Sequence, residues 1–113
     1  MIKVYGIKNC DSVKKALSFF QKHNLDYELQ DFKTQAVGCE KVSSWLDFVT
    51  LKQLFNTRST TYRNLKLKEK NLSEDEKKEY LCKENLLIKR PVIEFNDTVI
   101  VGYNEDNFTG VFL

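Results

Sequence analysis

Ile2-Lys3-Val4-Tyr5-Gly6-Ile7-Lys8-Asn9-Cys10-Asp11-Ser12-Val13-Lys14-Lys15-Ala16-Leu17 is the stretch whose reading decides the fold class. Its first part, Ile2 to Tyr5, carries β-branched Ile2 and Val4 and is bounded by Gly6, which predicts a short strand. From Val13 the apolar positions Val13, Ala16, Leu17 and Phe20 fall at i, i+3, i+4 and i+7, the stripe of an amphipathic helix. Asp11 and Ser12 bring the acidic and capping chemistry that suits a helix start, and Asn24 is a stop signal. A second strand is expected at Tyr27 to Phe32, with Tyr27, Leu29 and Asp31 alternating against polar neighbours. Strand, helix and strand at this spacing make a βαβ unit, hence a parallel pair with a right-handed crossover.

The pattern beyond it is helical and then returns to strands. Gly38 opens a helix with the stripe Val42, Trp45, Leu46 and Val49, and Thr50 caps a short one carrying Leu51, Leu54 and Phe55. Asn56 to Arg63 reads as a hydroxyl-rich basic segment between helices. The charged run Lys66 to Lys78 alternates in sign, as a solvated face does. Within it, Ser73 and Glu76 form a capping box, S-x-x-E, before a helix that runs to about Asn85. Val92 to Phe95 and Thr98 to Val101 flank Asn96-Asp97, a hairpin signal. Gly102 ends the second of these strands, and Asn104 to Phe112 closes as a helix with Phe108, Val111 and Phe112 inward. The layout predicts an α/β protein in thioredoxin-fold order: one domain over residues 1–113. Its mixed four-stranded sheet is built from βαβ and ββα halves around an all-helical insertion at about 38–87.

Composition narrows the function class. A chain of 113 residues, 42% hydrophobic and 30% charged, holds one modest core. A net charge of +2 does not call for nucleic acid as a partner. No apolar stretch reaches signal-peptide or membrane-spanning length, so the expected location is the cytoplasm and the expected state a monomer without a membrane partner. Cysteines stand at 10, 39 and 82, an odd number at wide spacing with no CxxC, which disfavours a disulfide framework or a structural zinc site. His23 is the sole histidine and lies near the end of the first helix, where capping is the expected role. No metal site and no bound cofactor are predicted. Trp45 and the phenylalanines sit at core-helix spacing.

Cys10 carries the chemistry. A cysteine just before a helix N-terminus meets backbone N–H groups that have no intrahelical partner, together with the positive end of the macrodipole. Both favour a thiolate, and the N–H groups around Asn9, Asp11 and Ser12 offer a cradle for an oxyanion. The competing reading, a small buried hydrophobe, fits poorly with the polar neighbours Lys8, Asn9, Asp11 and Ser12. Pro91, the single proline, directly precedes a strand. In a thioredoxin-like layout a cis-proline stands there, packed against the active cysteine; a trans-proline marking strand entry is the alternative. Arg90 would then come near the start of the first helix, and its planar fork suits a tetrahedral anion. Cys39, at the start of the second helix, reads as an incidental thiol, and Cys82 as a small packing residue beside Tyr80 and Leu81. A resolving role for either, closing on Cys10, is the minority reading.

Four ordered blocks carry a family resemblance: Tyr5 to Ala16, Asn56 to Leu65, Ile88-Lys89-Arg90-Pro91, and Val101 to Asp106. Together they resemble the ArsC/Spx/YffB family of thioredoxin-like proteins over nearly the whole chain, YffB-type members most. In the arsenate reductase branch the resemblance implies that Cys10 attacks arsenate while Arg58 and Arg90 hold the oxyanion. Glutathione and glutaredoxin supply the electrons, with glutathione itself a second candidate ligand. Two departures stand out. Val101-Gly102-Tyr103-Asn104 has no arginine where that branch has a further one, and Val13 replaces the second cysteine of the Spx CxxC switch. The stretch Gly102 to Asp106 is similar to the Spx branch, which implies the alternative of a regulator that binds the RNA polymerase α subunit without turnover.

Overall fold

In the computed structural model, which describes residues 1–113, four strands form one mixed sheet in the order β2-β1-β3-β4. Strand β1 (Ile2–Gly6) is central and pairs in parallel with β2 (Tyr27–Asp31), Ile2 opposite Tyr27. On its other side it pairs antiparallel with β3 (Val92–Phe95), Tyr5 opposite Val92, and β3 pairs antiparallel with β4 (Thr98–Val101). The hairpin turns at Asn96 and Asp97, both at positive φ (46° and 58°), residue types that tolerate the left-handed region. This is the expected α/β arrangement of βαβ and ββα halves, a thioredoxin-like fold. No helix is long and apolar enough to cross a membrane.

Two compact units form, Met1–Thr34 with Arg90–Leu113, and Gln35–Lys89. In the first, helix α1 (Asp11–Lys22) and the C-terminal helix Glu105–Phe112 cover one face of the sheet. Ile2, Val4 and Ile93 meet Ala16, Phe19, Phe20 and Phe108 there in a buried cluster. Alternate strand positions and the helical 3–4 stripe thus converge on one core. Phe20 and Phe108 stack at 5.6 Å, and Asn104 caps the terminal helix through Asn107 N–H. His23 is the C-cap of α1, with its ring 4.5 Å from that of Phe19.

The second unit is helical: α2 (Cys39–Leu46), α3 (Leu51–Leu54), α4 (Thr60–Asn64) and α5 (Glu74–Lys83), with short 3₁₀ turns at Leu67–Lys70 and Asn85–Leu87. Thr50 and Ser73 cap α3 and α5 with complete capping boxes. Val42, Trp45, Leu54, Leu67, Leu81, Leu87 and Ile88 are buried. Several expected boundaries move. Helix α2 stops at Leu46, leaving Val49 outside it, and α5 stops at Lys83 because the chain tightens into the 3₁₀ turn that buries Asn85. The segment Asn56 to Arg63 is not merely a connection. Ser59 accepts the Tyr62 N–H and starts α4. The charged run hides one apolar residue, Leu67, which is 2% exposed.

The largest correction concerns the cysteines. Cys39 and Cys82 are joined to each other, with Cα atoms 4.9 Å apart. A free thiol at Cys39, a packing role alone for Cys82, and the expectation against disulfides are all overturned. Neither sulfur is available to resolve Cys10 while that bond stands. Position 39 opens α2 and position 82 lies near the end of α5, two helices that pack together. A wide sequence spacing carries no trace of that meeting.

Candidate active site

The sheet-and-helix unit builds the site at the junction of β1 and α1. Cys10 is the N-cap of α1, with extended backbone angles (φ −142°, ψ 124°), and its carbonyl accepts the first helical bond from Lys14 N–H at 2.9 Å. The Cys10 side chain makes no cap bond to this helix start, whose first-turn N–H groups, those of Asp11 and Ser12 among them, have no intrahelical acceptor. Cys10 is the one free cysteine and is half-buried. Asn9 and Asp11 are exposed and Ser12 half-buried, as a binding loop requires.

The approach to this junction is fixed by Asp31, at the end of β2. Its carboxylate accepts Lys8 N–H at 3.3 Å and Lys33 N–H at 2.8 Å, tying the loop before Cys10 to the neighbouring strand end. Phe32 N–H bonds Gly6 carbonyl at 2.8 Å in the same region. Asp31 was foreseen only as an alternating strand position; an aspartate closing a strand, two residues before a lysine N–H, is the signal of an Asx turn.

Arg90 arrives from the other side. The Arg90–Pro91 peptide bond is cis, the isomer of the thioredoxin-like layout. Val92 pairs with Tyr5, so the antiparallel register carries Pro91 and Arg90 toward Gly6 and Ile7. A Cβ added to Gly6 would lie 2.7 Å from Val13 Cγ2 and 3.8 Å from Arg90 Cβ. Gly6 therefore admits the first turn of α1 through Val13, while Arg90 Cβ lies at ordinary contact distance from the same position. Arg90 Nε is buried and has no hydrogen-bond partner.

Arg58 belongs to the helical unit, where it is exposed and its N–H bonds Asn56 Oδ1 at 3.0 Å. It lines a groove of about 300 Å³ with Arg63, Lys66, Lys68, Tyr62 and Glu69, a setting with a cationic excess. In place of a further arginine, the closing hairpin ends at Gly102, whose φ of 83° suits glycine and whose N–H bonds Pro91 carbonyl at 2.8 Å.

Residues 5–111 match the model of the ArsC family. The chain belongs to the ArsC family. An uncharacterized protein of Haemophilus influenzae is 38% identical over 99% of both chains. The global transcriptional regulator Spx of Lactiplantibacillus plantarum is 27% identical over 94% of this chain and 82% of its own length. Among solved structures, a YffB protein superposes over the full length of both chains with a TM-score of 0.91 at 28% identity. This ArsC-family chain thus shares its fold with a YffB protein and is similar in sequence to a regulator.

Proposed function

We propose that this ArsC-family protein is a single-cysteine thiol oxidoreductase, related to arsenate reductase, with the Cys10 thiolate as nucleophile. The supporting observation is the placement of Cys10 as N-cap of α1, next to the β1 end at Gly6 that the Arg90 Cβ also approaches, with Arg90 Nε buried and without a partner. A sulfur attacking the arsenic of arsenate there would form an S–As bond while an As–O bond breaks and the oxygen leaves as water; first-turn N–H groups and a guanidinium would offset the charge as it develops. Arg90 and Arg58 are the proposed anion-binding side chains, with Asn9, Asp11 and Ser12 framing the cradle. With Cys39 and Cys82 engaged with each other, the adduct on Cys10 is proposed to be resolved from outside, by glutathione and then glutaredoxin. No bound cofactor enters this scheme, and the proposed setting is the cytoplasm. The test is arsenate-dependent consumption of reducing equivalents with glutathione and glutaredoxin. Turnover that is lost in Cys10→Ser is expected; turnover that survives the substitution would overturn the reading.

A second reading is favoured by the likeness to the regulator Spx and by Val101 to Asn104, which lacks an arginine. On it, the chain binds the RNA polymerase α subunit and performs no turnover. Co-purification with that subunit, together with no reduction of arsenate, would support it over the first.

A further inference from the structure

The helical unit holds a cysteine pair that the proposed chemistry at Cys10 does not use. Cys39 is the first residue of α2 and exposed; Cys82, near the end of α5, is half-buried. Their Cα atoms are 4.9 Å apart, inside the usual range for a bridge. The same two segments are also fastened without sulfur. Asn85, 8% exposed, accepts Val37 N–H at 2.7 Å and donates through Nδ2 to Val37 and Leu81 carbonyls, both at 3.1 Å. Val37 lies two residues before Cys39, and Asn85 three after Cys82. None of the bonds of this clasp runs through sulfur, so breaking the S–S bond removes none of them.

We propose that Cys39–Cys82 is a second redox centre, chemically separate from Cys10, which opens and closes by thiol–disulfide exchange with a dithiol entering at Cys39. In the opening step a thiolate of the dithiol attacks the sulfur of the exposed residue, Cys39. The Cys39–Cys82 bond breaks, and Cys82 leaves with the electron pair and takes up a proton. The second thiol of the reductant, as thiolate, attacks the mixed disulfide and releases Cys39. Two electrons pass to the protein, and the dithiol leaves as a disulfide. Cys82 Sγ lies 3.2 Å from Lys78 carbonyl, an acceptor for its S–H in the open form. An S–H bond formed there would hold Cys82 to its own helix and leave Cys39 as the outward thiol, so re-closure by an external disulfide would begin there too.

The test uses the full chain carrying Cys10→Ser, so that only this pair reports. The folded protein is equilibrated in mixtures of reduced and oxidised dithiothreitol, quenched with acid, alkylated and weighed. Both thiols are expected to appear together as the mixture becomes reducing, to vanish together on the return, and to leave the near-ultraviolet circular dichroism folded. A bond that yields only in denaturant, or thiols that fail to re-pair, would overturn the proposal. The point of entry is read by brief exposure of the reduced chain to oxidised glutathione and peptide mapping. The adduct is expected on Cys39 and absent from Cys82, and its trapping is expected in Cys10→Ser/Cys82→Ser. An adduct mapped first to Cys82 refutes entry at Cys39. Because Cys10 is absent throughout, none of these results depends on its chemistry.

Discussion

Gly6 and Val13 stand so close that a single methyl group on Gly6 would sit 2.7 Å from Val13 Cγ2. The contact joins the end of β1 to the first turn of α1 and so sets how closely the helix start packs on the strand. Gly6→Ala is expected to destabilise the protein by about 1–3 kcal/mol, the range for overpacking a filled site. Urea unfolding measures it. Val13→Ala in the same chain should recover part of the loss, since it removes the Cγ2 that clashes. If the two costs simply add, the contact is not the cause.

Asn85 makes the next prediction. It is buried, and its amide satisfies both backbone groups of Val37. Asn85→Ala leaves a buried N–H and carbonyls without partners, at about 1–3 kcal/mol for an unsatisfied group. The expected loss is at least that of a typical core deletion, and it should be larger with Cys39–Cys82 reduced than oxidised. Equal losses in the two states would show that clasp and disulfide do not hold the same segments.

These two positions also show where sequence reading reaches and where it stops. The β1–α1 junction was legible because strand alternation, the Val13-Ala16-Phe20 stripe and a polar loop at Cys10 are local signals. The hairpin was legible because Asn96 and Asp97 announce a left-handed turn in themselves. Helix α4 was missed because a five-residue helix has no apolar stripe; its trace is the Ser59 cap alone. The Cys39–Cys82 bond and the Asn85 clasp were missed for a different reason. Both depend on α2 packing against α5, and tertiary meetings leave no period in a single sequence. Gly6 reads as punctuation in the sequence, whereas its missing side chain is what lets Val13 of α1 approach.

Alkaline stability should follow Tyr5. Its hydroxyl donates to Glu94 Oε1 at 2.9 Å. Burial, and then the bond to Glu94 and its charge, push the phenol well above the ordinary value of 10.0. The fold therefore favours the protonated phenol. That contribution is intact below pH 10 and is lost as the pH rises beyond it, where the unfolded chain ionises first. Wild-type unfolding free energy is expected to fall steadily above about pH 10. Tyr5→Phe, which keeps the ring but cannot ionise, should flatten that fall while costing about 1.5–3 kcal/mol at neutral pH for the lost hydrogen bond to a carboxylate. Identical alkaline slopes would remove Tyr5 as the cause.

The disulfide should be visible as stability. It ties residues 43 apart in sequence within the helical unit, and a loop of that length restrains the unfolded chain by about 2–4 kcal/mol. Denaturation with and without reductant is expected to differ by this amount in the wild type and not at all in Cys39→Ser/Cys82→Ser. Alkylation of the native, unreduced chain should label Cys10 alone, and labelling after reduction should reach all three cysteines.

Arg90 separates binding from folding. Its Nε is buried without a partner, and an unsatisfied buried donor is a cost of about 1–3 kcal/mol to the empty protein. An anion that accepted that N–H would remove the cost and add a charge-assisted bond, so ligand and fold are coupled at this residue. Arg90→Ala is expected to lose the thermal stabilisation that arsenate or phosphate confers. Its anion affinity should fall roughly 10- to 100-fold, as one charged hydrogen-bonding partner worth about 1.5–3 kcal/mol would give. The anion-free protein should keep its stability or gain slightly from the lost orphan. Calorimetric titration and thermal melts with and without anion read both quantities. A variant that melts early while binding anion as well as the wild type would make Arg90 a structural residue and leave the cradle to the N–H groups of α1 alone.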